Sequence, residues 1–266
     1  MKFFVSIFVL LTLHHAYPQL KKVSRLPTVM NECSGMLFVD DSTLLMHNDS
    51  EVPNRLYYVN VQGNMMDSVE IPLRLFDFEA ISRNGSLLYL ADIGNNTNIR
   101  KDLKIVIFDI NQRKLIEVLA VRYAEQTNYP PAKDSLYFDA EAIVYKNDSL
   151  FIFTKNRTKP YNGKSLVYAL DLQTKELQLI HTLQFDQYSW VKSSITDACF
   201  QEGKFYLLAY RYLYILDTHF QLEKRIHLSC IAQREAIAIN TKNEIFIATE
   251  KHPILGGGKL YMLKEK

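Results

Sequence analysis

Oxygen-bearing side chains recur at one point of a repeating pattern in this chain. Asp77-Phe78-Glu79-Ala80-Ile81 and Asp139-Ala140-Glu141-Ala142-Ile143 are near copies, and Arg234-Glu235-Ala236-Ile237 closes the series. Thr196-Asp197-Ala198-Cys199 is a weaker version, and Cys33-Ser34-Gly35-Met36 holds the same place ahead of the first acid. If the repeats close on themselves, Ser34, Glu79, Glu141, Asp197 and Glu235 converge on one axis. Four carboxylates facing each other in a poorly solvated channel repel by several kcal/mol at roughly 4 Å, so either some carry protons or a cation sits among them. Oxygen-only donors in a wide ring fit calcium better than zinc, and no His falls at these positions. The alternative is that the acids cap strands or accept backbone amides of neighbouring repeats. Asp77 and Asp139, two residues ahead of their glutamates, lie on the same side of an extended chain and can support them.

The elements that would position such a ring are short β runs separated by turn residues, the pattern of an all-β repeat fold. The first unit reads as strands over 35–39, 43–46, 55–61 and 65–71, with Asp40-Asp41-Ser42 and Gln62-Gly63-Asn64 as turns. The second unit reads as 80–82, 86–91, 103–110 and 115–123, with Asn84-Gly85 as a hairpin signal. The third unit gives 142–145, 150–154, 165–172 and 177–185, and the fourth 198–200, 204–209, 211–217 and 222–228. The fifth supplies only 236–239, 244–248 and 259–263 before the chain stops. An orphan run at Leu20 to Leu26 can supply the missing outer strand, so that each terminus covers the other's open edge. The repeats start at Gly35, Ala80, Ala142, Ala198 and Ala236, at intervals of 45, 62, 56 and 38 residues. The expected architecture is therefore a five-bladed β-propeller closed by its N-terminal strand, as one domain over residues 20–266. Six blades, with a degenerate one between Asn111 and Asp139, is the alternative.

In a propeller the ends of the second strands return to the face on which the ring opens. The loops there carry Asp92, Asn95, Arg100, Lys155, Arg157, Arg211 and Glu250, and with Arg55, Lys159 and Lys251 they make a basic rim around an acidic centre. Such a layout can hold a small anionic ligand, or a protein partner, between cation and rim. His47 and His252 are the histidines near this face and the candidate general bases, although each also reads as a strand or turn residue. No Ser-His-Asp spacing, phosphate-cradling loop or nucleophile elbow is present, and Gly256-Gly257-Gly258 reads as a loop.

Bulk properties narrow the function classes. The 266 residues are 48% apolar, enough for a sizeable core, and 31 basic against 29 acidic residues leave no polyelectrolyte character for nucleic acid. Met1-Lys2 followed by the apolar run from Phe3 to Leu13 has the form of a signal peptide, placed at residues 1–18, and is too short to span a bilayer. A secreted or periplasmic monomer without stable membrane insertion is the expected setting. Cys33, Cys199 and Cys230 are too few for a disulfide scaffold. Five Asn-x-Ser/Thr sequons begin at Asn48, Asn84, Asn95, Asn147 and Asn156.

The order Ser34, Glu79, Glu141, then Asp197 with Thr196 beside it, then Glu235, resembles the one-residue-per-blade calcium ring of the five-bladed calcium-activated nucleotidases (apyrases). Ser34-Gly35, Asp77-Phe78-Glu79-Ala80 and Asp92-Ile93-Gly94-Asn95-Asn96 are also similar to SdiA-regulated and phytase-esterase-like propellers, in which a Ser-Gly or Glu-Gly/Ala step opens blades. These resemblances imply a propeller with Ca2+ in its central channel. Two functions follow from them: a propeller that binds a cation and an anionic ligand, or a metal-dependent hydrolase of a phosphate, ester or lactone.

Overall fold

The computed structural model describes residues 19–187, 189–228, 232–254 and 256–264. Residues 1–18, read from sequence as a signal peptide, and Cys230 lie outside the described residues. Strand β1 (Gln19–Arg25) comes first. Blade 1 contains β2 (Cys33–Phe38), β3 (Thr43–Asn48), β4 (Arg55–Asn60) and β5 (Met65–Glu70). Blade 2 contains β6 (Phe78–Asn84), β7 (Leu87–Asp92), β8 (Lys104–Asp109) and β9 (Lys114–Ala120). Blade 3 contains β10 (Asp139–Lys146), β11 (Ser149–Lys155), β12 (Lys164–Asp171) and β13 (Leu177–Gln184). After the one-turn helix α1 (Trp190–Ser193), blade 4 contains β14 (Ile195–Gln201), β15 (Lys204–Ala209), β16 (Tyr212–Leu216) and β17 (Leu222–His227). Blade 5 contains β18 (Arg234–Ile239), β19 (Ile245–Thr249) and β20 (Lys259–Lys264), and β1 completes it.

The five sheets are each four-stranded and antiparallel, and the protein is a five-bladed β-propeller. Closure is by the N-terminal strand: β1 runs antiparallel to β20, from Gln19 opposite Lys264 to Arg25 opposite Lys259. This pairing removes the two edges that would otherwise be left open by the chain's ends. The stretch between Asn111 and Asp139 holds β9, a loop and a short 3-10 turn at Lys133–Ser135, not a sixth blade.

Period-two alternation sends successive side chains to opposite faces of each blade, and the core accordingly divides into one cluster per blade interface. In β7, Leu88 and Leu90 pack toward blade 1 while Tyr89 and Ala91 pack toward blade 3. Three further clusters fill the interfaces of blades 3 and 4, 4 and 5, and 5 and 1. The inner strands are buried over their first four residues or more, and the outer strands β5, β9, β13 and β17 keep many residues exposed.

His47 belongs to this core. It is fully buried, its ring stacks on Phe78 with centroids 3.6 Å apart, and Nδ1 lies 3.2 Å from the Asn48 carbonyl. Burial pushes its pKa down to about 3, so it does not act as a base on the open face. Gly35 lies against the same ring, where an added Cβ would overlap His47 Nε2. Gly35→Ala is therefore expected to lower stability by about 1–3 kcal/mol, the range for overpacking a core, as a reduced denaturation midpoint with unchanged m-value.

Candidate functional site

Each innermost strand carries a β-bulge at its head. Register shifts fall between Cys33 and Gly35, Phe78 and Ala80, Ala140 and Ala142, Ile195 and Asp197, and Arg234 and Ala236. The extra residues are Ser34, Glu79, Glu141, Thr196 and Glu235. A bulge frees one residue from the ladder and re-aims its side chain, so the five inner strands place one hydroxyl or carboxylate each at the same level of the ring. The inner strands contact one another in the cycle β2, β6, β10, β14, β18 and back to β2.

Blade 4 departs from the sequence expectation by one residue. Thr196, not Asp197, occupies the bulge, and Asp197 pairs with Leu208 in regular register. Asp197 is buried, and its carboxylate accepts the amides of Ala198 and Ile237, each at 2.7 Å, tying blade 4 to blade 5. Burial raises its pKa and the two amides oppose that. The Thr196 hydroxyl donates to the Arg234 carbonyl at 2.6 Å. The signal for this register is a count back from the hairpin: Asn84, Lys146 and Gln201 end their inner strands, and five residues ahead of each stand Glu79, Glu141 and Thr196.

Above the ring opens a cavity of about 350 Å³, lined by Ser34, Glu79, Glu141 and Glu235 of the ring and by Glu32, Asp49, Asp77 and Glu250 around it. Among the described residues two cations, Lys155 and Arg157, line it with these acids. Lys155, at the end of β11, points inward and is 4% exposed. Its ammonium is bound to Glu141 Oε2, donates to the Tyr210 hydroxyl at 3.1 Å, and lies 5.2 Å from the Tyr210 ring centroid. Arg157 donates to Asp139 Oδ2 at 2.6 Å, to Glu141 Oε1 at 3.1 Å and to Asn96 Oδ1. The bowl therefore contains its own alkylammonium beside one ring carboxylate.

The remaining acids lack such a partner. Ser34 donates to Glu79 Oε2 at 2.9 Å, and burial, with Glu141 and Asp77 nearby, raises Glu79 well above the usual carboxylate range. Burial pushes Glu235 up to about 8, with Lys155 opposing and Glu141 and Glu250 adding to the rise. Burial, with Asp49 and Glu32, pushes Glu250 up to about 7. Burial likewise raises Glu141, but Lys155 and Arg157 pull it back, and both donate to it directly. Gly94 makes room for the bowl: a Cβ there would overlap Asp77 and come within 2.7 Å of Glu79 Oε1. Among the described residues, no three His, Cys, Asp or Glu side chains gather as a ready metal cage.

Several rim residues read as ligand contacts serve the fold. Asp92 is fully buried between Lys104 and Arg100 and accepts the Asp77 amide at 3.0 Å. Arg100 also donates to the Gly94 carbonyl at 2.7 Å, and Arg55 pairs with Glu70. Asn95 is buried; its backbone amide donates to Asp139 Oδ1 at 2.6 Å and its side-chain amide to the Phe138 carbonyl at 3.0 Å. Asn48 and Asn156 are buried too, so three of the five sequons have their Asn in the structure's interior. Arg211 and His252 do not line the bowl; His252 pairs through its backbone with Gly256. Arg55, Arg100, Lys155 and Arg157 of the basic rim are thus paired with carboxylates of the protein itself. Sequence reading missed Tyr210 and Trp190, which also line the bowl, because aromatic residues in a propeller read as core until the loops are placed.

No protein-family model matches the chain, and no curated protein matches its sequence. Among solved structures, the glutaminyl cyclase of Myxococcus xanthus is similar with a TM-score of 0.60 at 10% identity, over 93% of this chain and 97% of that one. A gluconolactonase from Xanthomonas campestris is similar with a TM-score of 0.52 at 14% identity, over 93% of this chain and 94% of that one. A chain of a nidogen/laminin complex follows at 0.50 and 11% identity, over 88% and 85%. These are likenesses of fold, and they agree with the β-propeller architecture.

Proposed function

We propose that this propeller binds a cation at the head of its channel, with calcium as the metal its ring would hold, and that the bowl above receives the cation's ligand or partner. The observation that carries this reading is the repeated bulge, which sets one oxygen-bearing side chain per blade, Ser34, Glu79, Glu141, Thr196 and Glu235, at one level. An all-oxygen set of three carboxylates and two hydroxyls suits a hard cation. The excess of buried acids over bases in the bowl gives the attraction. Lys155 acts as the built-in counter-ion of Glu141 when no metal is bound. The apolar leader at the start of the chain supports a secreted or periplasmic setting.

Bound calcium would supply a fixed positive charge and, in the hydrolytic alternative, polarise an oxygen of a phosphate, ester or lactone. The protein's own part is to keep Glu79 and Glu235 buried, which raises the pKa of both carboxyls. Calcium binding is therefore expected to release protons and to tighten as pH rises toward 8. Titration calorimetry in two buffers of different ionisation enthalpy reads both, with affinity near the 10⁻⁴–10⁻³ M order of extracellular calcium modules. Glu79→Gln and Glu235→Gln should each abolish the calcium-dependent rise in melting temperature. A wild-type protein whose melting temperature ignores millimolar calcium at pH 8 sinks the reading. A phosphatase, nucleotidase and esterase screen of the wild type and Glu141→Gln separates binding from catalysis.

A further inference from the structure

Beside the bowl lies a second and larger cavity of about 730 Å³, within the usual range for small-molecule sites. Asn96, Arg157 and Trp190 line both cavities and form the wall that the two share. The walls of the larger chamber are mainly apolar: Pro130, Pro131, Leu136, Pro160, Tyr161 and Trp190. Its charged lining residues are Lys133, Arg157 and Lys159, with no Asp or Glu among them. Arg157 is occupied by Asp139 and Glu141. Lys133 and Lys159 are exposed, form no ion pair among the described residues, and are held on adjacent segments by the Lys159 amide donating to the Lys133 carbonyl at 2.8 Å.

The chamber is built before any ligand arrives. Arg157 N donates to the Leu136 carbonyl at 2.9 Å, joining the loop after β11 to the loop before β10. Asn156 accepts the Thr158 amide at 2.8 Å and donates to Asn162 Oδ1 at 2.7 Å and the Lys164 carbonyl at 2.8 Å. Asn162 in turn donates to the Tyr137 hydroxyl at 2.5 Å. Trp190 is 48% exposed and meets Tyr210 edge-on at 6.4 Å, leaving part of the indole open. Prolines and tied loops present apolar area with little left to order on binding.

We infer that this chamber binds a small aromatic anion, with a flat apolar ring held against Trp190, Tyr161 and the prolines and a carboxylate or phosphate head held by Lys133 and Lys159. Charge decides the sign of the head: the acids lie in the bowl beyond Arg157, and the chamber itself offers only cations. An ammonium would be drawn to the bowl instead. The site differs from the ring in residues and in ligand, so it stands or falls apart from calcium binding.

Trp190 is the only tryptophan in the chain, so its fluorescence reports on the chamber and on the bowl edge that it also lines. Phenyl phosphate and benzoate, titrated in the presence of EDTA, are expected to change Trp190 emission saturably. Inorganic phosphate and benzyl alcohol should do so at least about tenfold more weakly, the first lacking the ring and the second the negative charge. Lys133→Glu combined with Lys159→Glu should weaken phenyl phosphate at least about tenfold while leaving the calcium response of the melting temperature unchanged. Tyr161→Ala should weaken both aryl anions and leave inorganic phosphate as it was. Benzyl alcohol binding as tightly as benzoate, inorganic phosphate matching phenyl phosphate, or no saturable change with either aryl anion overturns the inference. A calcium response lost in Glu79→Gln with aryl-anion binding intact leaves it standing.

Discussion

Replacing Lys155 by methionine is expected to destabilise the protein by about 3–5 kcal/mol, the range for removing one partner of a buried ion pair. The substitution keeps the side chain's length and leaves Glu141 with Arg157 alone, 5% exposed in a bowl of other acids. Glu141 can recover part of the loss by taking up a proton, so the deficit should grow as pH rises. Urea denaturation at pH 6 and pH 8.5 measures this. The Lys155→Met/Glu141→Gln double variant should regain much of the loss, since the charge that lacked compensation is gone. A deficit equal in the single and double variants would show that Lys155 matters for its packing and not for its charge. In the single variant calcium should raise the melting temperature more than in the wild type, because the cation no longer competes with an ammonium for Glu141.

Stability without a cation is expected to fall as pH rises between about 4.5 and 8. Glu235 has an ordinary value of 4.5 and is pushed up to about 8 in the folded protein, chiefly by burial. Between those two values the unfolded chain has released this proton and the folded chain has kept it. The folded state therefore binds more protons, and unfolding free energy decreases with pH, by about 1.4 kcal/mol per pH unit for one such group. Glu79 is shifted the same way by burial and its acidic neighbours and adds to the slope. Below pH 4.5 this contribution is fully present, and above pH 8 its loss is complete. Glu235→Gln should flatten the profile, and saturating calcium should do the same to the wild type by occupying the ionised form. A wild-type profile flat across the window would show that these carboxyls are already ionised at neutral pH.

Much of this architecture is legible in the chain itself. Turn residues such as Asn84-Gly85 and apolar alternation mark four strands per unit, and the strand missing after Leu263 with a spare one at Leu20 foretells closure between β1 and β20. These are local signals, because hairpin pairing joins residues close in sequence and an open sheet edge has to be covered. Glu79, Glu141 and Glu235 are likewise visible, since each heads an apolar run at the same point of its unit.

What the tertiary structure alone decided is where the charges sit relative to one another. A bulge shifts register by one residue, so Thr196 rather than Asp197 falls at the ring level, and Asp197 instead accepts amides from its own blade and the next. Lys155 reads in sequence as a rim cation for an anionic ligand, yet it is buried against Glu141 and Tyr210 at the end of β11. Asp92 and Arg100 look like exposed site residues and turn out to be a buried ion pair that holds a loop. Trp190 and Arg157, 33 residues apart in sequence, share the wall between two cavities. Periodicity reports which face of a strand is apolar, whereas ion pairing depends on distances across blades, and those distances exist only once the ring has closed.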